Sequence, residues 1–266
     1  MARAARHAHV TQESTALSTL RQIVKRLVPA RLLKSYQDAK VRRARRRYGQ
    51  MSLQETFSQI YTTNAWGGTP GSFVSGIGST DGQAAQYAAM VREFIRAHGV
   101  RSVVDVGCGD FVIGRELQVE GVRYTGVDIV PALIERNQRE FGKDGIEFKC
   151  LDVTTATPPA ADLCLVRQVF QHLSNAQVEA ALRHLSAFRY LIISEHQPTG
   201  VPFRDFQPNT DKPHGPDTRV HDRSGIFLDQ PPFNRPVADV LLDVDAGEGR
   251  EPGRIRSFLL TSPGDA

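Results

Sequence analysis

The sequence predicts an α/β protein built on a doubly wound, mostly parallel sheet of about seven strands, preceded by a basic, partly helical extension. Three observations carry this. Apolar strand-like runs alternate with helix-patterned stretches from residue 101 onward, which gives a parallel sheet covered by helices on both faces. The first run, Val103-Val104-Asp105-Val106, enters a glycine turn, Gly107-Cys108-Gly109. Successive runs then end in acids: Asp105 just before that turn, Asp128 after residues 124–127, and Asp152 after residues 146–151.

Residues 1–50 form the extension. They hold 13 Lys and Arg against Glu13 and Asp38, a net charge of +11 within a chain whose total is +4, so the remainder carries −7. Residues 1–16 are polar and read as disordered. Apolar residues recur at helical spacing over 17–28. Pro29 then suits the opening of a second helix that runs through Leu32, Leu33 and Tyr36 into the basic run 42–47, with Gly49 as its stop. An Arg-rich, acid-poor N terminus is also a transit-peptide pattern, but the basic run persists far into the chain. A basic helix of this kind reads as a membrane-surface element over residues 17–47. The alternatives are a solvated arm or a helix packed on a partner subunit. An acidic body argues against a nucleic-acid substrate, because proteins that grip phosphate backbones carry positive charge around the cleft.

Residues 51–266 form the folded domain. Its first part, 51–100, reads as a glycine-rich loop with Tyr61 and Trp66 as aromatic anchors, then a helix over 83–98 closed by Gly99. Strand-like runs follow at 103–106, 124–127, 146–151, 162–166 and 190–194. The last of these ends at Glu195-His196. Ser174 and Gln177 make a capping box, so a helix begins there and runs to 188. Residues 197–236 are rich in proline and lack periodicity, the mark of a functional loop, here a lid over a substrate site. Two strand-like runs, 237–244 and 254–261, close the chain. No apolar run approaches the roughly 20 residues that span a bilayer. Three cysteines, with Cys150 and Cys164 in strands expected to be buried, suit reduced intracellular chemistry, and no zinc-ligand spacing is present.

The glycine turn excludes one ligand and favours another. The dinucleotide pattern wants a third glycine where Val112 stands, and a carboxylate at Asp105 would repel a bound diphosphate. A cationic, phosphate-free ligand meets no such objection. Asp128 lies 23 residues past Asp105, where an acid can accept from both hydroxyls of a ribose. At these residues the chain resembles the class I S-adenosylmethionine-dependent methyltransferases. A closer likeness to one subfamily extends over residues 55–262, through segments 61–67, 75–79, 104–110, 167–175 and 232–236.

The resemblance implies a Rossmann-like fold with a C-terminal antiparallel hairpin, S-adenosyl-L-methionine as cofactor, and a reading of the adenine amino group by Asp152. The cofactor-binding set is then Asp105, Gly107, Cys108, Gly109, Asp128, Ile129, Asp152, Val153 and Arg167. Ser75, Gly76 and Gly78 either bind the methionine carboxylate or make turns. Methyl transfer rests mainly on alignment, and a hydroxyl acceptor benefits from a general base. His172 is the first candidate, Glu195 and His196 the second, and Trp66 is placed to contact the acceptor. The expected acceptor is a small molecule or a glycan, including lipid-linked ones, methylated on oxygen by a cytoplasmic enzyme held at the inner face of the membrane. The alternatives are an RNA or protein methyltransferase that holds its polymer with the basic arm, and a non-catalytic cofactor-binding scaffold.

Overall fold

The computed structural model describes residues 29–76, 82–199, 206–247 and 253–261. The readings made for residues 1–28, and for Gly78, lie outside these. The chain divides into two units, Met1–Arg46 and Arg47–Ala266. In the first, the described residues are Pro29 and helix α1, Ala30–Tyr48, which continues two residues past the division. Its only described acid is Asp38, which meets Lys34 one turn earlier.

The second unit is a seven-stranded sheet in the order β3-β2-β1-β4-β5-β7-β6. The strands are β1 Ser102–Val106, β2 Arg123–Asp128, β3 Ile146–Cys150, β4 Leu163–Arg167, β5 Tyr190–Gln197, β6 Asp239–Asp245 and β7 Arg254–Thr261. The first five run parallel. The last two pair antiparallel with each other, and β7 pairs antiparallel with β5. The fold is the Rossmann-like sheet with a closing hairpin that the sequence predicts.

Side-chain alternation builds two cores. From β1, Val104 and Val106 face one layer, where Val178, Ala181, Leu182 and Leu185 of helix α6 (Asn175–Leu185) cover the sheet. Val103 faces the other, where Tyr87, Val91, Phe94 and Ile95 of helix α3 (Gly82–Ala97) pack with Leu163, Leu165 and Ile192. Helices α4 (Val112–Glu116) and α5 (Pro131–Phe141) complete the crossovers, α5 with proline in its first turn. Since β1 to β4 are parallel, all four C-terminal ends open on the same edge of the sheet.

Four readings are corrected here. Residues 51–80 are not all loop: Leu53–Thr62 forms helix α2. Ser52 accepts from the Glu55 N–H, and Glu55 reaches back to the Ser52 N–H. Strand β5 runs three residues longer than expected, so Glu195 and His196 lie within it and do not end it. Cys150 is exposed: it shares the inward face of Ile146 and Phe148 but stands at the C-terminal end of edge strand β3, where the burial stops. Finally, described residues 206–236 form a packed wall rather than a free lid. Ile226, Leu228 and Phe233 join the first core. The Asn209 side chain ties the wall together, accepting from the Phe227 N–H at 2.8 Å and donating to the Phe227 and Pro231 carbonyls, both at 2.8 Å. Asn209→Ala leaves these buried backbone groups unpaired and is expected to lower stability by about 1–3 kcal/mol, read as a fall in Tm.

Candidate active site

A cleft opens along the C-terminal ends of β1 to β4, where open α/β sheets bind ligands. Its lining includes Asp105, Gly107, Cys108, Gly109, Asp128, Ile129, Asp152, Val153, Arg167, His172 and Trp66. Glu195 and His196 are not in it.

The glycine turn is held by backbone bonds. The Gly107 and Cys108 N–H groups donate to the Val127 carbonyl at 2.7 and 3.1 Å. Gly107 has φ +74° and Gly109 φ +55°, and a Cβ on Gly107 would run into the Val169 side chain. Glycine is therefore required twice, for the left-handed backbone and for the close approach of the next loop. Asp128 joins the turn to the start of α5, its carboxylate accepting from the Gly109 and Val130 N–H groups, each at 3.1 Å. Asp105 accepts from the Tyr124 hydroxyl at 2.6 Å. Asp152 accepts from the Thr154 N–H and hydroxyl, both on Oδ1.

Burial pushes both Asp105 and Asp128 up to about 6, against the opposing pull of the Tyr124 hydroxyl on the first and the Val130 and Gly109 N–H groups on the second. Both acids take up a proton more readily folded than unfolded. Their contribution to stability therefore falls as pH rises from the ordinary carboxylate range through about 6.

The other end of the cleft lies past β4. Gln168 leaves the strand with φ +55°, an uncommon backbone for a residue with a side chain. A short 3-10 turn, Phe170–His172, follows. The Glu195 carboxylate underpins that turn by accepting from the Phe170 N–H at 2.8 Å and the Gln171 N–H at 3.2 Å. Burial pushes the Glu195 carboxyl up to about 8, with the Phe170 and Gln171 N–H groups and Arg219 pulling the other way. These contacts correct the reading of Glu195 as a catalytic base: it supports the turn from behind. His196 pairs in β5 with Ile255 of β7, away from the cleft lining.

His172 does stand on the cleft wall. Its Nδ1 lies 3.2 Å from the Gly215 carbonyl, so the neutral ring carries its proton there and Nε2 is the accepting nitrogen. Loss of water around the ring, then the charge of Lys212, hold its pKa down to about 4, with Asp217 opposing. At neutral pH the ring is uncharged and accepts a hydrogen bond. Trp66 packs tilted against this ring, with centroids 5.1 Å apart, meets Tyr61 edge-on at 5.5 Å, and donates its indole N–H to the Pro216 carbonyl at 3.2 Å. Arg167 lies over the Tyr87 ring, 5.1 Å from its centroid.

Sequence reasoning missed Leu53, Phe57, Tyr87, Asp110, Gln168 and Gln171 as parts of the cleft. The Ser52–Glu55 capping box would have announced the helix bearing Leu53 and Phe57. Asp110 and Ser75 bond reciprocally, the Ser75 N–H to Asp110 Oδ2 at 3.1 Å and the Asp110 N–H to Ser75 Oγ at 2.8 Å. The 72–76 loop is thereby pinned to the glycine turn.

The residues present suit S-adenosylmethionine. Four carboxylates, Asp105, Asp110, Asp128 and Asp152, line one cleft with Arg167 as its lining cation, a balance that favours a cationic nucleoside over a phosphate. Asp128 spends one bond on each oxygen and keeps accepting capacity for the ribose hydroxyls. Asp152 would face the adenine amino group, and Val127, Ile129, Leu151 and Val153 give apolar walls. When bound, the cofactor supplies a methyl group already activated by its sulfonium.

Residues 103–188 match the family described as a methyltransferase domain. Among solved structures the chain is similar to N-methyltransferase NodS from Bradyrhizobium japonicum WM9 with bound S-adenosyl-L-homocysteine. They share 14% identity over 78% of this chain and 99% of that one, with a TM-score of 0.52. It is also similar to magnesium protoporphyrin IX methyltransferase (ChlM) from Synechocystis PCC 6803 with bound S-adenosylmethionine, at 16% identity over 79% and 98% and a TM-score of 0.50. At such identities the likeness is one of fold. Human N-acetylserotonin methyltransferase aligns at 15% identity with a TM-score of 0.47, over 84% of this chain but only 64% of its own length. No curated protein matches. The match over residues 103–188, with the fold and the acid-lined cleft around it, marks a methyltransferase domain that works with S-adenosylmethionine. S-adenosylmethionine is its cofactor.

Two outcomes are expected from calorimetric titration with S-adenosylhomocysteine. Asp128→Ala abolishes measurable binding. In the wild type, affinity falls as pH drops through about 6, by up to about tenfold per unit for each carboxylate that must be ionised.

Proposed function

We propose that this chain methylates a hydroxyl group of a small-molecule or glycan acceptor. The observation that carries the reading is the neutral, hydrogen-bonded character of the cleft beyond β4. Trp66, Phe57, Leu53 and Leu173 offer apolar and aromatic surface there, while Gln168, Gln171 and His172 supply uncharged polar groups. Aromatic faces with interleaved amides suit a ring bearing hydroxyls. The −7 charge of residues 51–266 disfavours a polyanionic acceptor at this cleft. In this reading the acceptor hydroxyl displaces the long 3.4 Å contact that Gln171 Nε2 makes with His172 Nε2, and His172 Nε2 receives the hydroxyl proton once the new C–O bond forms.

The test is mass-spectrometric detection of methyl addition across two series offered with S-adenosylmethionine: sugar glycosides, including lipid-linked ones, and simple phenols. Single methylation of glycosides is expected. In His172→Asn, kcat falls by about 10²-fold, with affinity for S-adenosylhomocysteine unchanged within twofold.

The basic arm has its own role in this proposal, as a hold on an anionic bilayer. Among the described residues no helix is long and apolar enough to cross a membrane. Helix α1 instead exposes Leu32 and Tyr36 one turn apart among its basic residues, a pairing suited to a lipid surface. Deleting residues 1–46 is expected to abolish co-sedimentation with phosphatidylserine-containing vesicles while leaving turnover of a soluble acceptor intact. Loss of that turnover, with steep salt dependence on RNA, would instead support an RNA methyltransferase that grips its polymer with the arm.

A further inference from the structure

Gln171 is a polar side chain almost wholly removed from solvent, 5% exposed, on the wall of the cleft. Its backbone N–H is taken by Glu195 and its side-chain Nε2 donates to the Gln168 carbonyl at 3.3 Å. The second contact fixes the amide orientation, because the reverse would set two oxygens against each other. The side-chain oxygen Oε1 is then buried and meets no hydrogen-bond donor among the described residues. A buried acceptor without a donor is costly, and on the wall of a binding cleft a bound ligand can supply that donor.

The position of Gln171 says which ligand. The three acids suited to the nucleoside stand at the ends of β1, β2 and β3. Gln171 follows β4 and immediately precedes His172, the residue proposed to meet the reacting hydroxyl, and Gln171 Nε2 lies 3.4 Å from His172 Nε2. We infer that Gln171 Oε1 accepts a hydrogen bond from a second hydroxyl of the methyl acceptor, so the enzyme selects polyols that carry a free hydroxyl beside the one methylated. This deepens the proposed function and rests on it. The amide acts as a specificity element: it reads the neighbouring group and has no part in the methyl transfer itself. It is rigidly presented, because Glu195 and Gln168 hold its other polar groups.

The experiment compares monosaccharide methyl glycosides with their single-deoxy analogues, and with phenol, in the wild type and in Gln171→Met. Affinity for S-adenosylhomocysteine and Tm are measured on both proteins. In the wild type, removal of one hydroxyl beside the methylated position is expected to lower kcat/KM by at least about tenfold. In Gln171→Met that penalty shrinks to within twofold, while S-adenosylhomocysteine affinity stays within twofold. A penalty that persists in the variant overturns the inference, because the hydroxyl is then read elsewhere. A tenfold loss of S-adenosylhomocysteine affinity at unchanged Tm also overturns it, by assigning the oxygen to the cofactor. Turnover of phenol alone overturns both this inference and the proposed glycan acceptor, and so separates the two failures.

Discussion

The Asp128 carboxylate is the tie on which the cofactor end of the cleft depends. One oxygen holds the Gly109 N–H and the other the Val130 N–H, so a single side chain sets the glycine turn after β1 against the loop that opens α5. The Val127 carbonyl, taken up by Gly107 and Cys108, fixes the same junction through backbone alone. These bonds are possible because β1 and β2 are parallel and in register, Asp105 beside Gly126 and Val106 beside Val127. The cost is visible in the raised pKa values of Asp105 and Asp128. Buried acids so close together are tolerated where a cationic ligand repays their desolvation.

The acceptor end is built by different means. Glu195 lies inside β5 and holds the turn after β4, while Arg219 donates to the Leu173 carbonyl at 2.7 Å just beyond it. The wall formed by 206–236 reaches the site through backbone groups: Gly215 meets both the N–H-side chemistry of the His172 ring and its carbonyl, and Pro216 takes the Trp66 indole. His214 links the same stretch to the Met51 carbonyl ahead of α2, with Nε2 and oxygen 3.0 Å apart. Lys212 and Asp217 pair within it, Lys212 also donating to the Asp217 carbonyl at 3.0 Å. His172 and Trp66 are thus placed by contacts from opposite ends of the chain.

That difference explains what the sequence revealed. The strands, the hairpin, α3 and the start of α6 follow from local pattern: apolar runs, a capping box, and glycine at the end of α3. The cofactor end was legible because its groups sit at strand ends, and a strand end can be read from a run of apolar residues closed by an acid. Glu195 misled because an acid near a strand end reads alike whether it faces a cleft or lies under a turn. Only the pairing of all eight β5 residues with β7 shows that the strand continues through it. The wall of 206–236 was opaque for a related reason. Asn209, Lys212 and Arg219 are buried by partners far along the chain, and composition there resembles an open loop. Gln168 and Gln171 fell within a segment that carried the family likeness, but nothing in it marked them as lining the cleft, since a buried amide is recognised by what surrounds it.

In the proposed methylation of a hydroxyl, the two ends of the cleft also divide the electrostatics of the reaction. Attack by a neutral hydroxyl on a sulfonium methyl spreads a positive charge over two centres before the proton leaves the new ether oxygen. Apolar walls and uncharged polar groups suit such a transition state better than water does, because dispersed charge loses less on desolvation than concentrated charge. A strongly basic imidazole at His172 would sit protonated at neutral pH, adding a cation beside a cationic cofactor. A ring held neutral by its surroundings avoids that repulsion and still offers Nε2 to receive the proton. The low basicity of His172 is therefore consistent with a role in methylating a neutral hydroxyl, with the proton passed on to water after transfer.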